Sequence, residues 1–218
     1  NFGDYPFADS GAIVDDLRDL GFALENQTRP IYAPEFFASA DEGESVVAHE
    51  LAHQWYGDKR ALPAWKHIWL NEGFATYAEW LWAEHDGGPT VQQIFDSYYA
   101  IPADNGFWSL EIGDPGPANL FASPVYYRGA MALHALRLEI GDTDFFALIE
   151  QWAAQPNTVR VTTRNFTALA EQVSGEQLDM LIRDWVKTTS KPALSESLAE
   201  ATSPATPPER PFATPHAH

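Results

Sequence analysis

The rhythm of apolar and polar residues changes near residue 40. Residues 1–40 are rich in Gly, Pro and aromatics and show no sustained helical period. Two short apolar runs, Ala12-Ile13-Val14 and Gly21-Phe22-Ala23-Leu24, are bounded by turn residues and predict strands or strand edges. Arg29-Pro30 and Ala33-Pro34 hold the next stretch extended, because a residue before proline is pushed out of the helical region. From Asp41 the pattern becomes helical. Glu44 to Tyr56 contains neither Pro nor Gly and is followed by Gly57, which predicts one helix. A second is predicted from Leu70 to His85, stopped by Asp86-Gly87-Gly88-Pro89. Further helices are expected over 89–101, 124–140, 143–154, 163–173 and 177–188, with Leu133, Leu136, Phe145, Leu148 and Trp152 among the apolar stripes. Residues 103–123, punctuated by Pro and Gly, read as a long surface loop. After Pro192 the composition turns to Ser, Ala, Thr, Pro and Glu, so 193–218 is expected to be a disordered tail. The fold class implied by this pattern is α+β, mainly helical with a small β portion at the N-terminus.

Composition narrows the function classes. The chain has 31 acidic and 13 basic side chains, a formal charge of −18. Nucleic acid and anionic membranes both need a basic surface, so neither is expected as a partner. The excess suits a soluble, self-repelling surface. There is no Cys, which removes disulfides, thiolate metal sites and cysteine nucleophiles together. No stretch approaches the ~20 apolar residues that span a bilayer. The chain starts Asn1-Phe2-Gly3 without an initiator Met or signal regions, and is therefore expected to be part of something longer.

One local signal carries chemistry. In His49-Glu50-Leu51-Ala52-His53 the histidines are four residues apart, about 400° of helical rotation, so both imidazoles leave one face. Neutral imidazoles so placed can hold Zn²⁺ at roughly 2.0–2.1 Å. Glu50, about 100° round from His49, can reach a water near that ion. A catalytic zinc takes three protein ligands, and the best third candidate is Glu72, in Asn71-Glu72-Gly73-Phe74-Ala75 on the second predicted helix. Eighteen residues separate it from His53, enough for a loop through Pro63 and an antiparallel return. Against this stands a solvated helix face carrying two histidines and a carboxylate by chance, which composition allows in roughly one or two sequences in a hundred.

His49-Glu50-x-x-His53, eighteen residues, then Asn71-Glu72-Gly73-Phe74-Ala75, with the flanks Val47-Ala48 and Gln54-Trp55-Tyr56-Gly57-Asp58, resembles the M1 family of zinc aminopeptidases (gluzincins). The resemblance runs from about Phe2 to Pro192. It implies a thermolysin-like catalytic domain over 1–192, with a β-containing start (1–40) and a helical remainder (41–192). It implies one Zn²⁺ per chain on His49, His53 and Glu72, with Glu50 as general base toward a zinc-activated water. Peptides with a free N-terminus are the implied substrates. Full-length family members carry a large β-rich domain before this region, so a missing N-terminal domain is implied as well, and the small members are often secreted.

Two further positions are implied by the resemblance. Phe22-Ala23-Leu24-Glu25-Asn26 is similar to the family's Gly-Ala-Met-Glu-Asn, with Phe22 in place of the first Gly, and implies that Glu25 binds the substrate α-ammonium. Tyr126-Tyr127-Arg128-Gly129 is similar to Tyr-x-Lys-Gly, with Arg128 in place of Lys, and implies a phenol that donates to the oxyanion. Tyr126 fits the register; Tyr127 is the alternative. For the partner that orients a zinc histidine, Thr76 and Glu79 are candidates. His67, His85 and His134 have no partner at ligand spacing and read as packing or surface residues, and His216 and His218 fall in the tail. Trp55, Trp65, Trp69, Trp80 and Trp82 suit a pocket or a helical core equally. Two other functions stay open: a zinc endopeptidase on the same scaffold, and a truncated, non-catalytic peptide-binding module.

Overall fold

A computed structural model of the chain describes residues 1–16 and 20–194. The expected tail lies outside the described residues from 195 onward, while Leu194 at its start is partly buried against the core. Strands β1 (Ile13–Val14), β2 (Ala23–Leu24) and β3 (Ile31–Tyr32) form one small sheet in the order β1-β3-β2. β1 runs parallel to β3, and β2 antiparallel to it. The third strand occupies the stretch that the two prolines keep extended. Ala23 and Tyr32 pack on Val46, which lays the sheet against the first long helix.

That helix, α1 (Ala40–Ala52), starts earlier than the glycine at 43 suggests. Ser39 caps it by accepting from the Glu42 amide, and Asp41 and Glu42 favour the positive end of its dipole. Gly43 lies inside it in tight contact with Phe37, since a Cβ there would lie 3.0 Å from the ring and push it aside. The helix also fails to continue straight to Tyr56. Residues Gln54–Asp58 form a wide π-helical turn, with Tyr56 at φ −114°, ψ 73° and Gly57 at φ 150°, and the Asp58 amide donates back to the His53 carbonyl at 2.9 Å.

Helices α2 (Trp69–His85) and α3 (Val91–Tyr99) fall close to their expected spans. Helix α4 spans Ser123–Ala154 but is broken at Gly141, whose φ of 79° separates the two helices expected there. Helix α5 (Thr163–Ser174) ends on left-handed Gly175. The last predicted helix is instead a single turn, α6 (Asp179–Ile182), followed by a π-helical turn Arg183–Lys187. The 103–123 segment is not a surface loop throughout, since Trp108 and Ile112 are buried in the core. Among the described residues no helix is long and apolar enough to cross a membrane.

α2 and α4 cross where Gly73 meets Gly129. A Cβ on either residue would lie 2.9 Å from the opposing backbone, so only hydrogen fits between the helices. This close contact fixes two site residues at once, because Glu72 precedes one glycine and Tyr126 lies one turn before the other. Of the tryptophans, Trp69 and Trp80 are core residues, whereas Trp65 and Trp82 are 60% and 40% exposed.

Candidate metal centre and active site

The i, i+4 spacing on α1 and the return of α2 bring His49, His53 and Glu72 together, all fully buried. Nε2 of each histidine lies 3.4 Å from Glu72 Oε2. A charge-assisted hydrogen bond would close to about 2.7–2.9 Å. A tetrahedral ion with bonds of 2.0–2.1 Å places its ligand atoms ~3.3 Å apart, which is the spacing found. Both Glu72 oxygens and His53 Nε2 are buried with no hydrogen-bond partner among the described residues. The donor set and spacing therefore fit Zn²⁺.

The other ring nitrogens are occupied. His49 Nδ1 lies 2.7 Å from Glu79 Oε1, and Ser45 Oγ donates to Glu79 Oε2 at 2.7 Å. His53 Nδ1 lies 3.2 Å from the Tyr56 carbonyl oxygen. That carbonyl is in reach because the π-helical turn unwinds the chain at Tyr56, so the break in α1 orients a histidine rather than merely ending a helix. Each imidazole is thus left with Nε2 facing Glu72. Of the two residues considered as orienting partners, Glu79 takes this place, whereas Thr76 Oγ1 is buried without a hydrogen-bond partner among the described residues.

Electrostatics reflect burial against this charge cluster. Burial, the largest single influence, pulls both histidines down, but the neighbouring carboxylates together outweigh it, Glu72 for both and Glu79 also for His49, and hold both above the ordinary imidazole range. Burial pushes Glu72 up, yet the two histidines hold it far below the usual carboxylate range. Glu50 is also fully buried, with neither oxygen hydrogen-bonded among the described residues. Burial pushes it up to about 7 against the pull of His49 and His53.

Tyr126 stacks on His49, ring centroids 6.0 Å apart at 22°. Its phenol is raised by burial and then by the nearby carboxylates of Glu72, Glu25 and Glu50. Tyr127 instead stacks on Tyr98, ring centroids 4.6 Å apart. Glu25 leaves β2 with Oε2 buried and without a partner among the described residues. It is close enough to influence Glu50, His53 and Tyr126. His134 is a packing residue held between Tyr77 and Gln92, His67 contacts Thr163, and His85 lies against Trp82.

One structural device is not singled out by the sequence. Gln54, fully buried, accepts from the Thr28 amide at 2.7 Å and donates to Asp58 at 2.7 Å and to the Asn26 carbonyl at 3.4 Å. Thr28 adopts φ 67°, uncommon for a β-branched residue, and this hydrogen bond helps hold it. Gln54 thereby ties the loop carrying Glu25 to the end of α1. Its position beside His53 is the one signal that could have pointed to it.

A profile of the peptidase family M1 domain matches residues 13–185. The chain is 26% identical over 190 residues to glutamyl aminopeptidase of Bos taurus, covering 82% of this chain and 20% of that protein. It is 31% identical over 167 residues to probable aminopeptidase 2 of Sulfurisphaera tokodaii, covering 71% and 21% respectively. The M1 zinc metallopeptidase of Deinococcus radiodurans superposes with a TM-score of 0.75 at 35% identity, over 89% of this chain and 42% of that one. An alanine variant of the same enzyme, bound to a Tyr-Ser-Ala substrate, superposes at 0.73 with 32% identity, over 90% of this chain and 43% of that one. The chain spans about a fifth of the length of these curated relatives.

Proposed function

The chain belongs to peptidase family M1, and from that premise we propose that it is a zinc-dependent aminopeptidase releasing single N-terminal residues from peptides. The observation that carries this reading is the pair of imidazole Nε2 atoms of His49 and His53, each 3.4 Å from Glu72 Oε2, with the Glu50 carboxylate, unpartnered among the described residues, on the same helix as the two histidines. His49, His53 and Glu72 would hold the ion. When bound, zinc supplies Lewis-acid polarisation to the peptide carbonyl and to the attacking water.

The chain's own groups do the rest. Glu50 takes the proton from the attacking water and passes it to the leaving amine, a task suited to a carboxylate whose proton affinity sits near neutrality. Tyr126, kept protonated by burial and its acidic neighbours, donates a hydrogen bond to the carbonyl oxygen as charge develops there. Glu25 accepts from the substrate α-ammonium, which restricts cleavage to the first peptide bond. Peptide substrates accord with the Tyr-Ser-Ala bound to the Deinococcus relative.

Leucine and alanine p-nitroanilides, free and N-acetylated, test this. The free amines should be cleaved in a chelator-sensitive way, and the acetylated forms at least about 100-fold more slowly, because acetylation removes the charge that Glu25 accepts. Equal rates on both forms would replace the aminopeptidase with an endopeptidase. A second expectation concerns zinc alone. Glu79→Gln should weaken zinc affinity by about 10–100-fold, read by competition with a chromogenic chelator. Unchanged affinity would mean that Glu79 does not orient His49.

A further inference from the structure

Next to the metal centre lies a cavity of about 350 Å³ lined by Glu25, Gly57, Asp58, Asn71 and Trp65, with the 61–64 loop closing it. Its inner wall adjoins the ligands. Asn71 precedes Glu72, and a Cβ on Gly57 would lie 3.3 Å from Asn71 Nδ2 and 3.5 Å from His53 Nδ1. Three of the side chains that line it carry acceptor oxygens, those of Glu25, Asp58 and Asn71. Glu25 Oε2 is buried without a partner, and Asn71, only 8% exposed, has its Oδ1 buried and unpaired among the described residues. Asp58 gives one oxygen to Gln54 Nε2, and no lysine or arginine among the described residues lines the space. Buried acceptors without donors are costly unless a ligand supplies the donors.

Charge and shape restrict that ligand. Two carboxylates and an orphan amide oxygen call for a cation rich in N–H groups. Trp65, 60% exposed, adds an aromatic face on which a guanidinium can lie. The volume is roughly ten times the ~30 Å³ share of a water, so the α-ammonium alone does not fill it. Because Glu25 lines the same cavity, the side chain that shares it belongs to the residue whose ammonium Glu25 holds. This step rests on the aminopeptidase reading.

We infer that the cavity is the subsite for a positively charged first residue, arginine or lysine, and that Asp58 is the residue that selects it. Glu25 takes the α-ammonium, Asp58 and Asn71 Oδ1 take the side-chain N–H groups, and Trp65 covers the charged plane. Asp58 sits there because the π-helical turn after His53 turns residue 58 back beside Gln54.

The test compares L-arginine with its neutral isostere L-citrulline by calorimetric titration of the zinc-loaded chain. Both ligands carry the free amine and neither has a bond to cleave, so the Glu25 contact cancels. Arginine is expected to bind about tenfold or more tightly. Asp58→Asn, which still accepts from Gln54, should reduce that ratio to about twofold or less. Equal binding by the unsubstituted chain overturns the inference without any variant, and so does a ratio that Asp58→Asn leaves unmoved. Hydrolysis supplies a separate arm: arginine p-nitroanilide should exceed the leucine and glutamate compounds in kcat/KM, and a glutamate preference overturns the assignment. Failure to cleave any free-amine substrate counts against the aminopeptidase reading, while the titration still decides the charge of the subsite.

Discussion

Glu50→Gln is expected to leave one zinc per chain and to lower kcat by about 10²–10⁴-fold. The carboxylate is fully buried, none of its oxygens is hydrogen-bonded among the described residues, and it lies one residue from a ligand on the same helix. No element of the fold depends on it, so its loss should remove proton transfer and little else. Its effect on stability has the opposite sign from that of a structural residue. Burial raises the folded-state value from 4.5 to about 7. A carboxyl so raised destabilises the fold once pH exceeds its unfolded value, because the unfolded chain ionises more readily. In the chelated protein at pH 8, Glu50→Gln should therefore melt higher than the parent, not lower. Metal analysis, single-turnover kinetics and a melting curve decide the matter; retained turnover, or loss of zinc, would remove Glu50 from the role of base.

Arg128→Lys is expected to cost about 3–5 kcal/mol of stability, which for a chain of this size lowers the melting temperature by on the order of 10 °C. Arg128 is fully buried. Its Nε donates to the Trp185 carbonyl at 2.8 Å, one terminal nitrogen to those of Trp108 and Leu110, and the other to the Asp184 carbonyl and Thr188 Oγ1. Burial lowers it only to about 10, so it stays charged at neutral pH. One guanidinium thus pins the 108–110 segment and the 184–188 turn onto α4, two residues beyond Tyr126. A lysine ammonium is a point donor on a flexible stem and cannot satisfy acceptors spread around a planar fork. An unchanged melting temperature in Arg128→Lys would show that these acceptors find other partners.

Arg128 also marks a boundary of what sequence reading reaches. Beside Tyr126 it reads as a substitution for the lysine of a short motif. Its value comes from carbonyls that lie 56 or more residues away at Asp184 and Trp185, or in the 108–110 segment that pattern alone assigns to the surface. The wide turn after His53 is equally hidden. A Pro- and Gly-free run up to Tyr56 predicts an unbroken helix, and only the tertiary setting favours unwinding it, by giving His53 Nδ1 a carbonyl and carrying Asp58 to the cavity. The start of α1 is displaced for a related reason: Gly43 looks like a boundary until Phe37 is seen packed against it.

What the sequence determined by itself is whatever helical geometry settles locally. Four-residue spacing puts His49 and His53 on one face, one residue further puts Glu50 beside them, and apolar stripes place α2 and both halves of α4 within a few residues. The tertiary structure decided how those faces meet. Hydrogen-sized contact between Gly73 and Gly129 sets Glu72 against α1 and Tyr126, not Tyr127, against His49. Glu79, rather than Thr76, reaches the imidazole, and Glu25, Asp58 and Asn71 share one cavity although they come from three separate segments. The physical reason is one of range: helical periodicity acts over a turn or two of backbone, whereas the distances that set a metal site and its subsite are fixed by packing between elements remote in the chain.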